Sequence, residues 1–135
     1  MNIQHRNSAA VDQVTASVIQ GALENIAIEM GYKLMRMSYS SIIRESQDLG
    51  AGLFDTRYNT LCESDSTPMH IGSLPGYLRG IEKRIGLKDW KPGDCVLHNH
   101  PYFGASHSPD IAIVMPVRKR LDSGYAMPIF SAGAR

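Results

Sequence analysis

Neither sign of charge dominates this sequence: 14 lysines and arginines stand against 13 aspartates and glutamates. That near balance leaves no broad field to draw the chain onto nucleic acid or an anionic membrane surface. Cysteine is scarce. Cys62 and Cys95 show neither a metal-type spacing nor a paired framework. They read as reactive or bridging thiols or, more plainly, as two small apolar residues in strands of a cytosolic protein. No apolar run approaches the roughly 20 residues that a membrane-crossing helix needs. The N-terminus, MNIQHRNSAAVDQ, lacks the apolar core of a secretory signal. A soluble, cytoplasmic protein is therefore the expectation. There is no G-x-x-x-x-G-K-[ST] phosphate loop, so ATP is not expected to bind within this chain. Repeats and low-complexity tracts are also missing.

What the sequence does contain is ordinary globular material. Its 135 residues are 43% hydrophobic and 20% charged, enough for one domain with a real core and too few for two. Residues 1–11 read as a flexible lead-in, and residues 12–135 as a single α+β domain. From Asp12, a plausible N-cap, apolar residues recur by threes and fours at Val11, Val14, Val18, Ala22, Ile26, Met30, Leu34 and Met37, widened by Ile19 and Leu23. This marks one face of a long amphipathic helix. Gly21 and Gly31 either weaken it or permit close packing. Tyr39–Asp48 reads as a solvated connection. GAGLFD and YNTLCE form a hairpin around Asp55-Thr56-Arg57. STPMHIGSLPG is loop-like because of Pro68, Gly72, Pro75 and Gly76. A second, shorter helix spans 73–85 with Leu74, Leu78, Ile81 and Ile85 on one side, closed by Gly86. A turn at KPGD leads to a short buried strand, Cys95-Val96-Leu97. Beyond the loop 98–109, IAIVMPV and YAMPIFSAG form strands about a turn near Asp122-Ser123-Gly124. A helix, then short and mostly antiparallel strands around a second helix, is an α+β arrangement.

Histidine is sparse, yet three of the five histidines fall in one loop, HNHPYFGASHSPD. His107 and Asp110 make an H-x-x-D pair. Pro109 disfavours a helix there, so the pair rides on a turn entering a strand. Imidazole nitrogen with carboxylate oxygen suits Mn²⁺, Fe²⁺ or Zn²⁺, and the lack of thiolate argues against structural zinc. The alternative is a polar surface loop whose histidines cap strands. In an extended segment His98 and His100 face one way and Asn99 the other, one side for substrate and the other for fixing the loop. His70 is an acid/base or substrate-contact candidate, or a loop histidine. Arg44 stands near Glu45 and Asp48, as a surface ion pair or as part of a site.

As an ordered set, VIQGALENIAIEMGYKLMRMSYSSIIRESQD, GAGLFDTRYNTLCES, STPMHIGSLPGYLRGI and KPGDCVLHNHPYFGASHSPDIAIVMPV resemble the start of hydantoinase B-type subunits. That family includes 5-oxoprolinases, N-methylhydantoinases and the metal-bearing subunits of acetone and acetophenone carboxylases. The resemblance implies a divalent metal held by His107, Asp110 and Asp48, with His70 and His100 as proton carriers and Arg44 and Asn99 near the substrate. It also implies a hydantoinase A-type partner that uses ATP to activate a small carbonyl substrate. Family chains are several times longer, so the remaining C-terminal part of a B-type subunit, with one further histidine ligand, is expected beyond Arg135. The loop differs from the shorter NDP-containing version of many hydantoinases and is nearer the carboxylase-like branch. Two classes of function remain open: the N-terminal part of a metal-dependent catalytic subunit, hydrolysing a cyclic amide or carboxylating a ketone, and a non-catalytic interaction module.

Overall fold

Asp12 opens the first helix as its chemistry requires. Its carboxylate accepts from the Thr15 amide at 3.0 Å and the Thr15 hydroxyl at 2.6 Å, satisfying a first-turn donor that has no helical partner. The computed structural model describes residues 11–64, 67–86, 90–91, 93–118 and 123–131. Residues 1–10, most of the expected lead-in, lie outside them. So does Asp122 of the last expected turn, while Ser123 and Gly124 already belong to a strand.

Helix α1 (Gln13–Met37) and the single turn α2 (Ser41–Arg44) precede the hairpin of β1 (Leu49–Asp55) and β2 (Thr60–Glu63). Asp55 closes that hairpin, accepting from the amides of Arg57 and Asn59 at 2.8 and 2.9 Å. These bonds, with the Asn59 side chain foremost, hold its carboxyl below the usual range. Helix α3 (Pro68–Ile85), β3 (Val96–His98), a 3-10 turn at Pro101–Phe103, β4 (Asp110–Arg118) and β5 (Ser123–Ser131) complete the chain. All pairings are antiparallel, in the order β2-β1-β5-β4-β3. The α+β expectation holds.

The sheet is covered on both faces. On one, Ala27 of α1 packs with Leu53 and Cys62, flanked by Leu23 and Met30. On the other, Leu74, Tyr77, Leu78 and Ile81 of α3 join Phe54, Trp90, Ala105, Ala112 and Val114. Leu53 and Phe54 are neighbours in β1 and point to opposite layers, as a strand's period of two dictates. That is why β1 is buried almost throughout.

Three expectations are corrected. The long apolar stripe of α1 is not its core face: Val14 is 74% and Val18 67% exposed, while Ala27 and Gly31 are buried. Successive steps of four residues advance about 40° beyond a full turn, so the stripe swings about 160° around the helix between Val14 and Met30. Only its later part meets the sheet. Gly31 sits against Leu49 and Ser64, whereas Gly21 faces open space. Next, the segment 68–72 is helical rather than loop. Pro68 stands at the start of α3, where its fixed φ is favourable and its missing N–H costs nothing. Pro75 is carried inside α3. Third, the strand before the histidine loop is not buried: Leu97 is 67% exposed, Cys95 is exposed, and β3 begins one residue later than expected. Ile85 is likewise exposed, and Ile43 is buried within the connection read as solvated.

Glycines on α3 decide where the histidine loop sits. A methyl group on Gly80 would overlap the Phe103 carbonyl, and one on Gly76 would lie 2.9 Å from the Gly104 carbonyl oxygen. Gly104 itself has φ +96° and no room for a side chain against Gly76. Loop backbone therefore lies directly on helix backbone.

Two outcomes follow from this packing. Gly80→Ala should cost about 1–3 kcal/mol of stability through overpacking, whereas Gly21→Ala should gain up to about 1 kcal/mol. Denaturant unfolding of both variants measures the contrast, and equal effects would contradict it. Cys62 is buried and free, and burial pushes its thiol pKa up; Cys95 is exposed. Iodoacetamide should therefore modify Cys95 first and reach Cys62 only on unfolding. Simultaneous modification would contradict that assignment.

Candidate functional site

The loop 98–110 is fixed at several points before it delivers any chemistry. The Asn99 side-chain amide donates to the Ser108 carbonyl at 2.9 Å and ties the two ends of the loop together. His98 Nε2 lies 2.8 Å from the Phe103 carbonyl oxygen, and its ring meets Tyr77 edge-on at 5.3 Å. The amide of Asp110 donates to the His107 carbonyl at 3.2 Å, closing a turn over Ser108 and Pro109. Asp110 is then the first residue of β4, and the even-numbered side chains Asp110, Ala112 and Val114 all enter the α3 layer with no exposed surface.

In that layer Asp110 meets His70. Both are fully buried, so each must be matched by neighbours to be tolerated. His70 Nε2 lies 2.7 Å from Asp48 Oδ1. The carboxylate can only accept, so Nε2 carries a proton. His70 Nδ1 is 3.5 Å from Asp110 Oδ2, too long for a hydrogen bond, and has no other partner among the described residues. His107 Nε2 approaches the same Oδ2 at 2.8 Å from the half-exposed side. The Ser106 hydroxyl donates to it at 2.6 Å. Asp110 Oδ1 is buried and has no hydrogen-bond partner among the described residues.

Two carboxylates and two imidazoles thus come from the residue just before β1, the first turn of α3 and both sides of one turn. Asp48, His107 and Asp110, grouped in sequence as metal ligands, lie together with His70 between the two aspartates. Their donors engage one another, and among the described residues no three of His, Cys, Asp or Glu are arranged around one ion. The other sequence candidates lie apart from this cluster. His100 is exposed, its ring 5.1 Å from that of Phe103. Arg44 is exposed at the end of α2, and the Asp48 carboxylate engages His70 instead. Asn99 is spent on the loop itself.

Sequence reasoning passed over Ser106 and Tyr77. Ser106 is adjacent to His107 in the histidine loop, and Tyr77 lies one position after Gly76 on the buried stripe of α3. A cleft lined by Ile28, Gly31, Tyr32, Met35, Gln47, Leu49 and Ser64 opens between α1 and β1. It is on the opposite face of the sheet and holds no carboxylate or imidazole.

Comparison with known proteins places the chain in a family. The family model described as hydantoinase B/oxoprolinase matches residues 12–133. The chain belongs to the hydantoinase B/oxoprolinase family. A protein of Pseudomonas sp. (strain NS671), named as the B-type subunit of a D-/L-hydantoinase, is 49% identical over 116 residues, covering 84% of this chain and 20% of its own length. The solved ATP-dependent caprolactamase from Pseudomonas jessenii is similar with a TM-score of 0.77 and 28% identity, over 90% of this chain and 21% of that one. An acetone carboxylase superposes with a TM-score of 0.73 over 85% of this chain and 16% of that one, but at 16% identity, which shows the fold alone. The loop is expected from sequence to lie nearer the carboxylase-like branch, whereas the 49% identity lies with a protein named for hydantoinase. This hydantoinase B-family chain spans about a fifth of the length of these relatives. Among its described residues no helix is long and apolar enough to cross a membrane.

The geometry separates the paired histidines. His98→Ala should lose about 0.5–1.5 kcal/mol, because a part-buried carbonyl loses its donor. His100→Ala, at an exposed position, should stay within about 0.5 kcal/mol. Thermal melts of the two variants test this, and the reverse ranking would overturn the assignment.

Proposed function

We propose that this chain is part of the metal-bearing subunit of an ATP-dependent enzyme that hydrolyses a cyclic amide. The observation that carries the reading is the cluster of Asp48, His70, His107 and Asp110 at the junction of α3 and the sheet. The donor set fits a divalent cation such as Mn²⁺, Fe²⁺ or Zn²⁺: carboxylate oxygen and imidazole nitrogen, without thiolate. The buried Asp110 Oδ1, which has no hydrogen-bond partner among the described residues, supports it, because a buried acceptor left without a donor costs free energy that a cation would offset. Asp48, His107 and Asp110 would hold the ion, with a further histidine from the remaining part of a B-type subunit. When bound, the cation supplies Lewis-acid polarisation of the substrate's acyl oxygen or of the attacking water.

The chain's own residues supply the rest. His70, held by Asp48, is placed to hold or pass a proton within the cluster. His107 stands at the half-exposed rim, where a small carbonyl substrate would enter. His100, Arg44 and Asn99 are peripheral in this reading; the first two face solvent where an incoming substrate would pass. ATP is used by a hydantoinase A-type partner, in keeping with the lack of a phosphate loop here. Names given to similar proteins, hydantoinase and caprolactamase, favour a cyclic amide over a ketone.

A second reading has its own observation. The first two turns of α1, residues 13–20, are exposed on every side, including Val14, Val18 and Ile19, which suits a non-catalytic module that docks through an apolar face.

Elemental mass spectrometry of the purified chain discriminates the two. Near-stoichiometric Mn, Fe or Zn in the wild type, lost in both His107→Ala and Asp110→Ala, is the expected result. A wild type that remains empty after dialysis against Mn²⁺ and Zn²⁺ would overturn the metal reading and leave the docking module.

A further inference from the structure

The Asp110 carboxylate is held from one side only. Ser106 Oγ donates to Oδ2 at 2.6 Å, so the hydroxyl proton is committed to Asp110. Tyr77 Oη is 3.1 Å from Ser106 Oγ and accepts from the Ser106 amide at 3.2 Å. With the serine proton committed, the tyrosine must be the donor in the first of these bonds. The sense of the chain is therefore fixed: Tyr77 O–H to Ser106 O–H to Asp110 Oδ2, with the Ser106 N–H returning to Tyr77. Each bond in such a chain polarises the next. Tyr77 is fully buried in α3, and that burial pushes its pKa up, so it stays a donor at neutral pH. Its backbone is immobilised between Gly76 and Gly80, where the loop lies directly on the helix.

This arrangement does more than satisfy hydrogen bonds. Among the described residues nothing donates to Oδ1, although it is equally buried. If the network served stability alone, the natural solution would be to spread donors over both oxygens. Instead Oδ2 gathers Ser106, His107 and the nearby His70.

Building on the proposed metal site, we propose that Ser106 and Tyr77 are positioning residues. They orient Asp110 so that Oδ1 is the oxygen presented to the cation. Partners of this kind, one bond removed from a ligand, set its rotamer and its basicity. Ser106 therefore acts through Asp110, and Tyr77 acts through Ser106.

The test is titration of the whole chain, stripped of metal, with Mn²⁺, followed by calorimetry or water-proton relaxation. The panel is wild type, Ser106→Ala, Ser106→Thr and Tyr77→Phe. Ser106→Ala should weaken binding about 10–100-fold, the usual effect of removing such a partner. Ser106→Thr keeps the hydroxyl and should bind within about threefold of wild type, while Tyr77→Phe, one bond further out, should fall between the two. Metal-free Ser106→Ala should melt below wild type, because the buried Asp110 Oδ2 loses a donor, whereas Ser106→Thr keeps that donor and its melt; the titrations are made well below either melt. Wild-type affinity in Ser106→Ala, or a threonine variant as weak as the alanine one, would overturn the positioning role while leaving the metal site standing. A wild type that takes up no Mn²⁺ would remove the metal site itself, and this role with it.

Discussion

The structure depends on one close contact: the backbone of residues 103–104 resting on the backbone of α3 at Gly76 and Gly80. Side chains cannot mediate an approach this close, because any Cβ at Gly80 would occupy the place of the Phe103 carbonyl. Once the loop is seated there, its downstream end has little freedom. His98 is bound to the Phe103 carbonyl, Tyr77 reaches Ser106 from between the two glycines, and the turn at 107–110 delivers Asp110 into the layer that contains His70. The glycines carry no chemistry themselves, but the polar cluster is a consequence of the fit they allow.

The sheet gives this contact its setting. β1 is an interior strand between β2 and β5, and its alternate residues serve two separate cores. α1 covers one face with its later turns, while α3 and the docked loop cover the other. The cluster of Asp48, His70, His107 and Asp110 lies wholly on the α3 side. Two fully buried polar groups, His70 and Asp110, are costly there unless matched, and Asp48, Ser106 and His107 do much of the matching. An unpartnered carboxylate oxygen in so small a volume is what a site would retain for a ligand. A purely structural core would have given it a donor.

Much of this was legible in the residues, and what was not had physical reasons. Asp12, the Asp55 hairpin and Gly86 could be read because each acts locally, through a cap or a turn whose rules need no tertiary context. The H-x-x-D pair could be placed on a turn entering a strand because Pro109 forbids the alternative. The start of α3 was missed because Pro68, Gly72, Pro75 and Gly76 were counted as breakers. Pro68 instead occupies the one helical position that suits it, and Gly76 serves packing. The core face of α1 was missed because a step of four drifts around the helix. Ser106 and Tyr77 gave no local signal, since their meaning arises only across 29 residues of separation. Gly76 and Gly80, four apart on one helix, are the feature that announces a close approach in advance.

The central claim is that loop docking on the α3 glycines assembles the histidine–aspartate cluster. It is tested most directly by a long-range ¹H–¹⁵N NMR spectrum of the histidine ring nitrogens in wild type and Gly80→Ala. The account expects the signals of His98, His107 and His70 to shift together in the variant, with His70 moving even though α3 remains helical. The exposed ring of His100 should respond least. Unchanged His70 and His107 signals, in a variant whose His98 signal does move, would show that the cluster forms without the docked loop and would contradict the account.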